Sequence, residues 1–147
     1  MKKFILFGFV LLGLLPFVVS ASELPNSAET RLSVINVSQD NVDAQEFGAR
    51  VGDVLRYEFV VRSDTEEVRD FVARLDVTDI LQGAEIIDVG LAKISNNQIV
   101  FPAFSKEAPC EQVFSFFARV KPCGTLMQLH VSGHGESSRV ALHCVLN

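Results

Sequence analysis

The sequence predicts an all-β fold, an antiparallel β-sandwich of about seven to eight short strands, and three observations predict it. From Thr30 onward apolar residues alternate with polar ones, the period-two pattern of strands that bury one face. Gly, Pro, Asn and Ser recur between the apolar runs, marking turns between short strands. Helical periodicity is nearly absent. At 147 residues, 48% apolar and 21% charged, the chain is long enough for one hydrophobic core and too apolar to remain unfolded.

The first 21 residues set an address. Lys2 and Lys3 form a positive start, residues 4–19 carry no charge, and Val19-Ser20-Ala21 is a small-residue cleavage pattern. That is the form of a secretory signal peptide, residues 1–21, cut before Ser22. As an uncleaved anchor the apolar run falls short of the roughly 20 residues a spanning helix needs, and Pro16 interrupts it. No Cys follows the small residues, so a lipid anchor is not expected. The mature chain is expected to be exported, to the extracellular space, cell surface or periplasm, with no membrane span. Without Lys2 and Lys3 it holds 11 basic against 18 acidic residues, a net charge of −7. That charge argues against nucleic-acid binding by a basic surface.

Residues 22–29 are polar and aperiodic and read as an N-terminal arm. The sandwich domain then spans residues 30–147. Its clearest strand is 54–62, with Leu55, Tyr57, Phe59 and Val61 on one face and Arg56, Glu58 and Arg62 on the other. Residues 68–78 repeat the pattern, with Phe71, Ala73, Leu75 and Val77 inward and Asp70, Arg74, Asp76 and Thr78 outward. A polar link, residues 63–67, predicts that the two form a hairpin. Further strands are expected in 32–37, 84–91, 98–103, 113–120, 126–131 and 140–146. Tyr57, Phe59, Phe71, Phe114 and Phe116 are the expected core. Phe117 points outward by period, so it is either covered by the N-terminal arm or part of a binding patch.

Gly52-Asp53-Val54-Leu55-Arg56-Tyr57-Glu58-Phe59 and then Val77-Thr78-Asp79-Ile80-Leu81-Gln82-Gly83-Ala84 resemble the DUF11-type bacterial surface repeat. That family shows a Gly-Asp turn and a Tyr-bearing strand, then an Asp, a Leu and a Gly. The resemblance runs over residues 50–133. Ser63-Asp64 stands where the family has an Asn-rich turn, Gln82 where it commonly has Pro, and one copy stands where it has tandem repeats. The resemblance implies an immunoglobulin-like sandwich at the cell surface, with an adhesive or spacer role and no catalytic residues. Cohesin-type modules share the Gly-Asp opening more weakly.

Three cysteines, Cys110, Cys123 and Cys144, allow at most one intrachain bridge. Cys110 and Cys123 flank one strand and sit some 40 Å apart at roughly 3.3 Å per residue, against the 4.4 to 6.8 Å a disulfide spans. The last two strands form a hairpin around Gly133-His134-Gly135-Glu136. Opposing their apolar faces requires residue numbers with an odd sum, such as Val140 against Met127, which brings Cys144 to Cys123. A Cys123–Cys144 bridge is therefore expected, closing a loop of about 20 residues worth about 3 kcal/mol. Cys110 is left as a free thiol or an intermolecular bridge to a partner.

No catalytic constellation assembles, and neither a metal nor a cofactor is expected. His130 and His134 have a ligand-like spacing, but a strand end and a Gly turn do not converge them, and His143 lies on the neighbouring strand. Gly133-His134-Gly135-Glu136-Ser137 lacks the order of a nucleophile elbow. Cys144 and His143 are adjacent strand residues that face opposite sides. Acidic groups at Asp40, Asp43 and Glu46, and at Asp64, Glu66, Glu67 and Asp70, match no calcium loop and read as solvated charge. Asn36-Val37-Ser38 is a glycosylation sequon by letters, in a strand context. Two function classes follow. One is a secreted or surface non-enzymatic interaction domain with a protein or cell-surface partner. The other is a subunit of an extracellular polymer or secretion apparatus, joined by strand edges or the arm.

Overall fold

A computed structural model describes residues 23–122, 127–131 and 137–143. The elements begin with β1 (Glu29–Asn36), β2 (Val42–Asp43), α1 (Ala44–Phe47), β3 (Ala49–Arg50) and β4 (Val54–Ser63). Next come β5 (Val68–Phe71), β6 (Arg74–Asp76), α2 (Thr78–Gly83), β7 (Ala84–Asp88) and β8 (Lys93–Ser95). Last are β9 (Gln98–Val100), β10 (Phe104–Lys106), β11 (Cys110–Val120), β12 (Met127–Val131), β13 (Ser137–Val140) and β14 (Leu142–His143). The described chain is mostly strand, with two short helices, as the alternation predicts.

Two five-stranded antiparallel sheets carry the fold, in the orders β2-β1-β4-β11-β7 and β13-β12-β6-β9-β8. Two short pairs, β10 with β5 and β14 with β3, complete the pairing, the second of them parallel. Buried residues from both large sheets belong to one cluster. Leu55, Tyr57, Phe59 and Val61 of β4 are buried in it, as are Phe71, Ala73, Leu75 and Val77 and also Phe114 and Phe116. Period-two alternation placed each of these on an apolar face. Among the described residues, no helix is long and apolar enough to cross a membrane.

The hairpin expected across residues 63–67 does not form. β4 pairs with β1 and β11, whereas β5 pairs with β10 and β6 with β9 and β12. The link carries the chain out of one sheet toward the other, held by the Ser63 hydroxyl, which donates to the Glu66 carbonyl at 2.5 Å. Ser63 is buried, so this bond satisfies a hydroxyl that would otherwise be costly to desolvate. The strand expected over 68–78 is also broken. It ends at Asp76, whose carboxylate accepts from the Thr78 amide at 2.9 Å and the Thr78 hydroxyl at 2.6 Å. Such a local side-chain turn competes with the ladder, and α2 begins there.

Gly52-Asp53 closes one end of the first sheet. Gly52 adopts φ 88°, a left-handed conformation that glycine takes without a Cβ clash. One oxygen of Asp53, Oδ2, accepts from Asn36 Nδ2 at 2.7 Å, from Gln39 Nε2 at 2.7 Å and from the Arg50 amide at 2.8 Å. The clamp joins the end of β1 to the turn before β4. Asn36 is fully buried in it, which leaves the sequon asparagine inaccessible in the folded chain.

The last hairpin has the expected register, with Met127 opposite Val140. Beyond it the chain changes partner, for Leu142 and His143 pair with Ala49 and Arg50. Cys123 and Cys144 lie outside the described residues, as does the signal segment 1–21.

Candidate functional site

Phe114 is the centre from which the site is built. On its β4 side it lies opposite Phe59, with ring centroids 6.2 Å apart. Phe71, Phe101 and Phe104 meet it edge-on at 6.0, 5.2 and 6.3 Å, the geometry aromatic quadrupoles favour. Phe101 is set by its amide, which donates to the Ala73 carbonyl at 3.0 Å, and Phe104 by the β10–β5 pair. Pro102 and Ala103 carry the chain between them.

Above this cluster β7 covers only part of its neighbour. Its pairing with β11 runs from Val120 back to Phe117, opposite Asp88, and there it stops. The chain then turns through Val89, Gly90 and Leu91, with Gly90 at φ 58° and its amide on the Asp88 carboxylate at 2.8 Å. A groove of about 330 Å³ opens in the gap. Phe101, Phe104 and Phe114 line it, together with Leu91 on one rim and Val113 and Ser115 on the other. No charged residue lines it. Leu91 is 89% exposed and Val113 42%. Leu91 thus stands almost wholly in water beside an aromatic floor, with the half-exposed Val113 on the opposite rim.

No family model, no curated protein and no solved structure matches the chain. The groove is therefore read on its own chemistry, which offers apolar contact and backbone polarity.

The residues singled out by sequence distribute as follows. Phe117 is half-buried, opposite Arg56 on one side and Asp88 on the other, at the closed end of the groove. The described arm does not cover it. Ser27 donates to Glu66 at 2.7 Å and Leu24 packs against the core, while Glu29 lies opposite Arg62, six residues along β4 from Arg56 and roughly 20 Å away. Cys110 is buried, 6% exposed, with its sulfur 3.8 Å from the Lys106 carbonyl, and carries no disulfide. His130 is exposed opposite Asp76, and His143 Nε2 lies 3.1 Å from the Phe47 carbonyl. Residues 132–136, with His134, lie outside the described residues.

Among the described residues no three His, Cys, Asp or Glu side chains gather as a metal would require. Asp43, Asp64 and Glu67 take local partners instead. Asp43 caps α1 through the Gln45 amide at 2.8 Å, and Glu67 pairs with Arg69 at 2.7 Å. Asp64 pairs with Arg62 at 3.0 Å. That hydrogen bond and charge, with Glu29 and Glu111 adding, push the Arg62 guanidinium further above its ordinary value. Burial likewise pushes the Tyr57 hydroxyl well above its ordinary value. That hydroxyl has no hydrogen-bond partner among the described residues, and its ring stacks on Phe116 at 4.7 Å. It lines no part of the groove.

Sequence reasoning missed Leu91, Phe101 and Phe104 as site residues. The signal that would have found Leu91 is its place after Asp88-Val89-Gly90, a turn, where an apolar residue has left its strand and has no inward face to occupy.

Proposed function

We propose that this chain is an exported, non-enzymatic interaction domain of immunoglobulin-like sandwich build, which meets a protein or cell-surface partner at the groove over Phe114. One observation carries the reading: an uncharged aromatic groove whose rim leaves Leu91 89% exposed. Desolvating that rim on contact is favourable at roughly 25 cal/mol per Å² of apolar area. The lining supplies no acid–base pair, which favours recognition over chemistry. Export is supported by Lys2, Lys3, the uncharged run 4–19 and Val19-Ser20-Ala21.

Two measurements test it. Intact mass of exported material should correspond to a chain beginning at Ser22, and a membrane-bound species retaining residues 1–21 overturns the export. Labelled mature protein should bind saturably to the surface of the cells that produce it. Leu91→Asp, on a residue with almost no buried area, should fold normally and bind at least about tenfold more weakly. Equal binding by this variant sinks the groove as the contact surface.

The second reading, a polymer subunit, draws on an unpaired stretch of strand beside the same groove. It predicts large assemblies in light scattering, where the first reading predicts monodisperse monomer.

A further inference from the structure

We infer that the free edge of β11 is a docking strand: the groove accepts an extended, uncharged peptide segment of a partner protein, added as a new strand alongside residues 111–115. This rests on the groove being the contact surface and specifies what fills it and by which bonds.

The direction of the backbone groups follows from the closed end of the same strand. The Val120 amide donates to the Asp53 carbonyl and the Val120 carbonyl accepts from the Gly52 amide, both at 2.9 Å. Val120 therefore faces the β4 side. The Lys121 amide donates to the Gly83 carbonyl, on the opposite side. Because direction alternates with each residue of an antiparallel strand, the even-numbered residues of β11 spend their N–H and C=O groups on β4. Those of Glu111, Val113 and Ser115 point the other way, along the line β7 occupies farther on. β7 leaves that line after Asp88. Among the described residues no backbone group bonds to Glu111, Val113 or Ser115 on that side. Gln112 Nε2, donating to the Val113 carbonyl at 3.1 Å, is what occupies it.

Donors and acceptors that repeat every two residues, about 6.6 to 6.8 Å, form a template that an extended polypeptide matches. Five residues of edge hold a guest of about five or six residues. Its inward side chains would lie over Phe114 between Phe101 and Phe104, and its outward ones beside Val113 and Ser115. Glu111 stands at one end of the edge, outside the groove, but the lining itself, with Gln112–Ser115, carries no charge, so a charged guest side chain over it would lose its hydration without gaining a partner. An uncharged, apolar-alternating guest is selected. The chain's own arm is a poor candidate, since Leu24 is packed on the core and Ser27 is bonded to Glu66. A second copy has its own β11 edge walled by residues 89–91 and 101–104, so two such edges do not meet.

The test is selection of a displayed library of eight-residue linear peptides on the mature protein, followed by affinity measurement of the enriched peptides. Val113→Pro removes an N–H that the β4 ladder does not use, and proline is tolerated on an open edge. Should that variant fail to fold, fully N-methylated copies of the enriched peptides make the equivalent change on the guest. The expected result is enrichment of uncharged, alternating peptides whose affinity falls at least about tenfold with Val113→Pro, with N-methylation and with Leu91→Asp. If Leu91→Asp weakens binding while Val113→Pro and N-methylation do not, the groove remains the contact surface and strand addition is overturned. No enrichment, charged peptides, or indifference to Leu91→Asp overturns both. A dimer abolished by Val113→Pro makes a second copy the occupant and overturns the partner peptide.

Discussion

The two halves of β11 share one neighbour and differ in the other. From Phe116 to Val120 the strand is held by β4 and has β7 beside it up to Phe117, and the Asp53 clamp closes the end. From Cys110 to Ser115 it has β4 alone, and in place of β7 stands an aromatic cluster beneath an uncharged groove. Both halves bury apolar residues at alternate positions, with Gln112 the one polar residue in that series. What distinguishes them is a single event, the departure of β7 at Asp88, and it turns a core strand into an available edge. Natural sheets commonly block such edges with charge or proline. Here the stretch Gln112–Ser115 carries neither charge nor proline and lies in a groove rather than on a flat rim.

Several substitutions sharpen that contrast. The largest effects should be common to both halves, because both inner faces are core: Phe114→Ala and Phe116→Ala should each cost about 3 to 5 kcal/mol in denaturant melts. A markedly smaller loss for Phe114→Ala would mean that the aromatic cluster under the groove is not part of the core. Asp53→Ala acts at the closed end alone. It strips three hydrogen bonds and leaves the buried Asn36 amide unsatisfied, for an expected loss of about 2 to 3 kcal/mol; a loss under about 0.5 kcal/mol would discount the clamp. Phe117→Ala, on a half-buried side chain, should cost roughly 1 to 2 kcal/mol, and the same in a chain starting at Glu29. A larger penalty in the full mature chain would show the arm reaching Phe117 after all.

The smallest effect lies away from β11. Asp76 accepts two hydrogen bonds from Thr78, which hold its carboxyl below the ordinary carboxylate range, with His130 contributing. Because the folded value is depressed, this stabilisation is present above the ordinary carboxylate value and lost as pH falls through the folded one. Thr78→Val should therefore lower the melting temperature at neutral pH and converge with the unaltered protein in acid. Curves that stay parallel down to low pH would remove Asp76 as the cause.

Much of the fold was legible because strands write one face at a time. Tyr57 sits between Arg56 and Glu58, while Phe59, Phe71, Phe114 and Phe116 each have one polar neighbour, and period two was enough to bury them. What was not legible was pairing. Nothing in Ser63-Asp64-Thr65-Glu66-Glu67 distinguishes a hairpin from a crossing between sheets, since both are short polar links, and the choice is made by Phe71 and Leu75 finding their partners in Phe104, Ile99 and Val131. The groove was illegible for the same reason. Leu91, Phe101 and Val113 are spread over 22 residues of chain, and only the β7–β11 register reveals where one strand abandons the other. Phe117, the outward residue that period two singled out, is half-buried and lies outside the groove, whose lining on β11 ends at Ser115.

Residue-resolved amide hydrogen exchange on the mature protein tests the open edge most directly. The account predicts that the amides of Val113 and Ser115 exchange at least about a hundredfold faster than those of Phe114 and Phe116, while Arg119, on the same parity but facing β7, is protected. Protection of Val113 and Ser115 equal to that of Phe114 would contradict it, because the edge would then already have a partner.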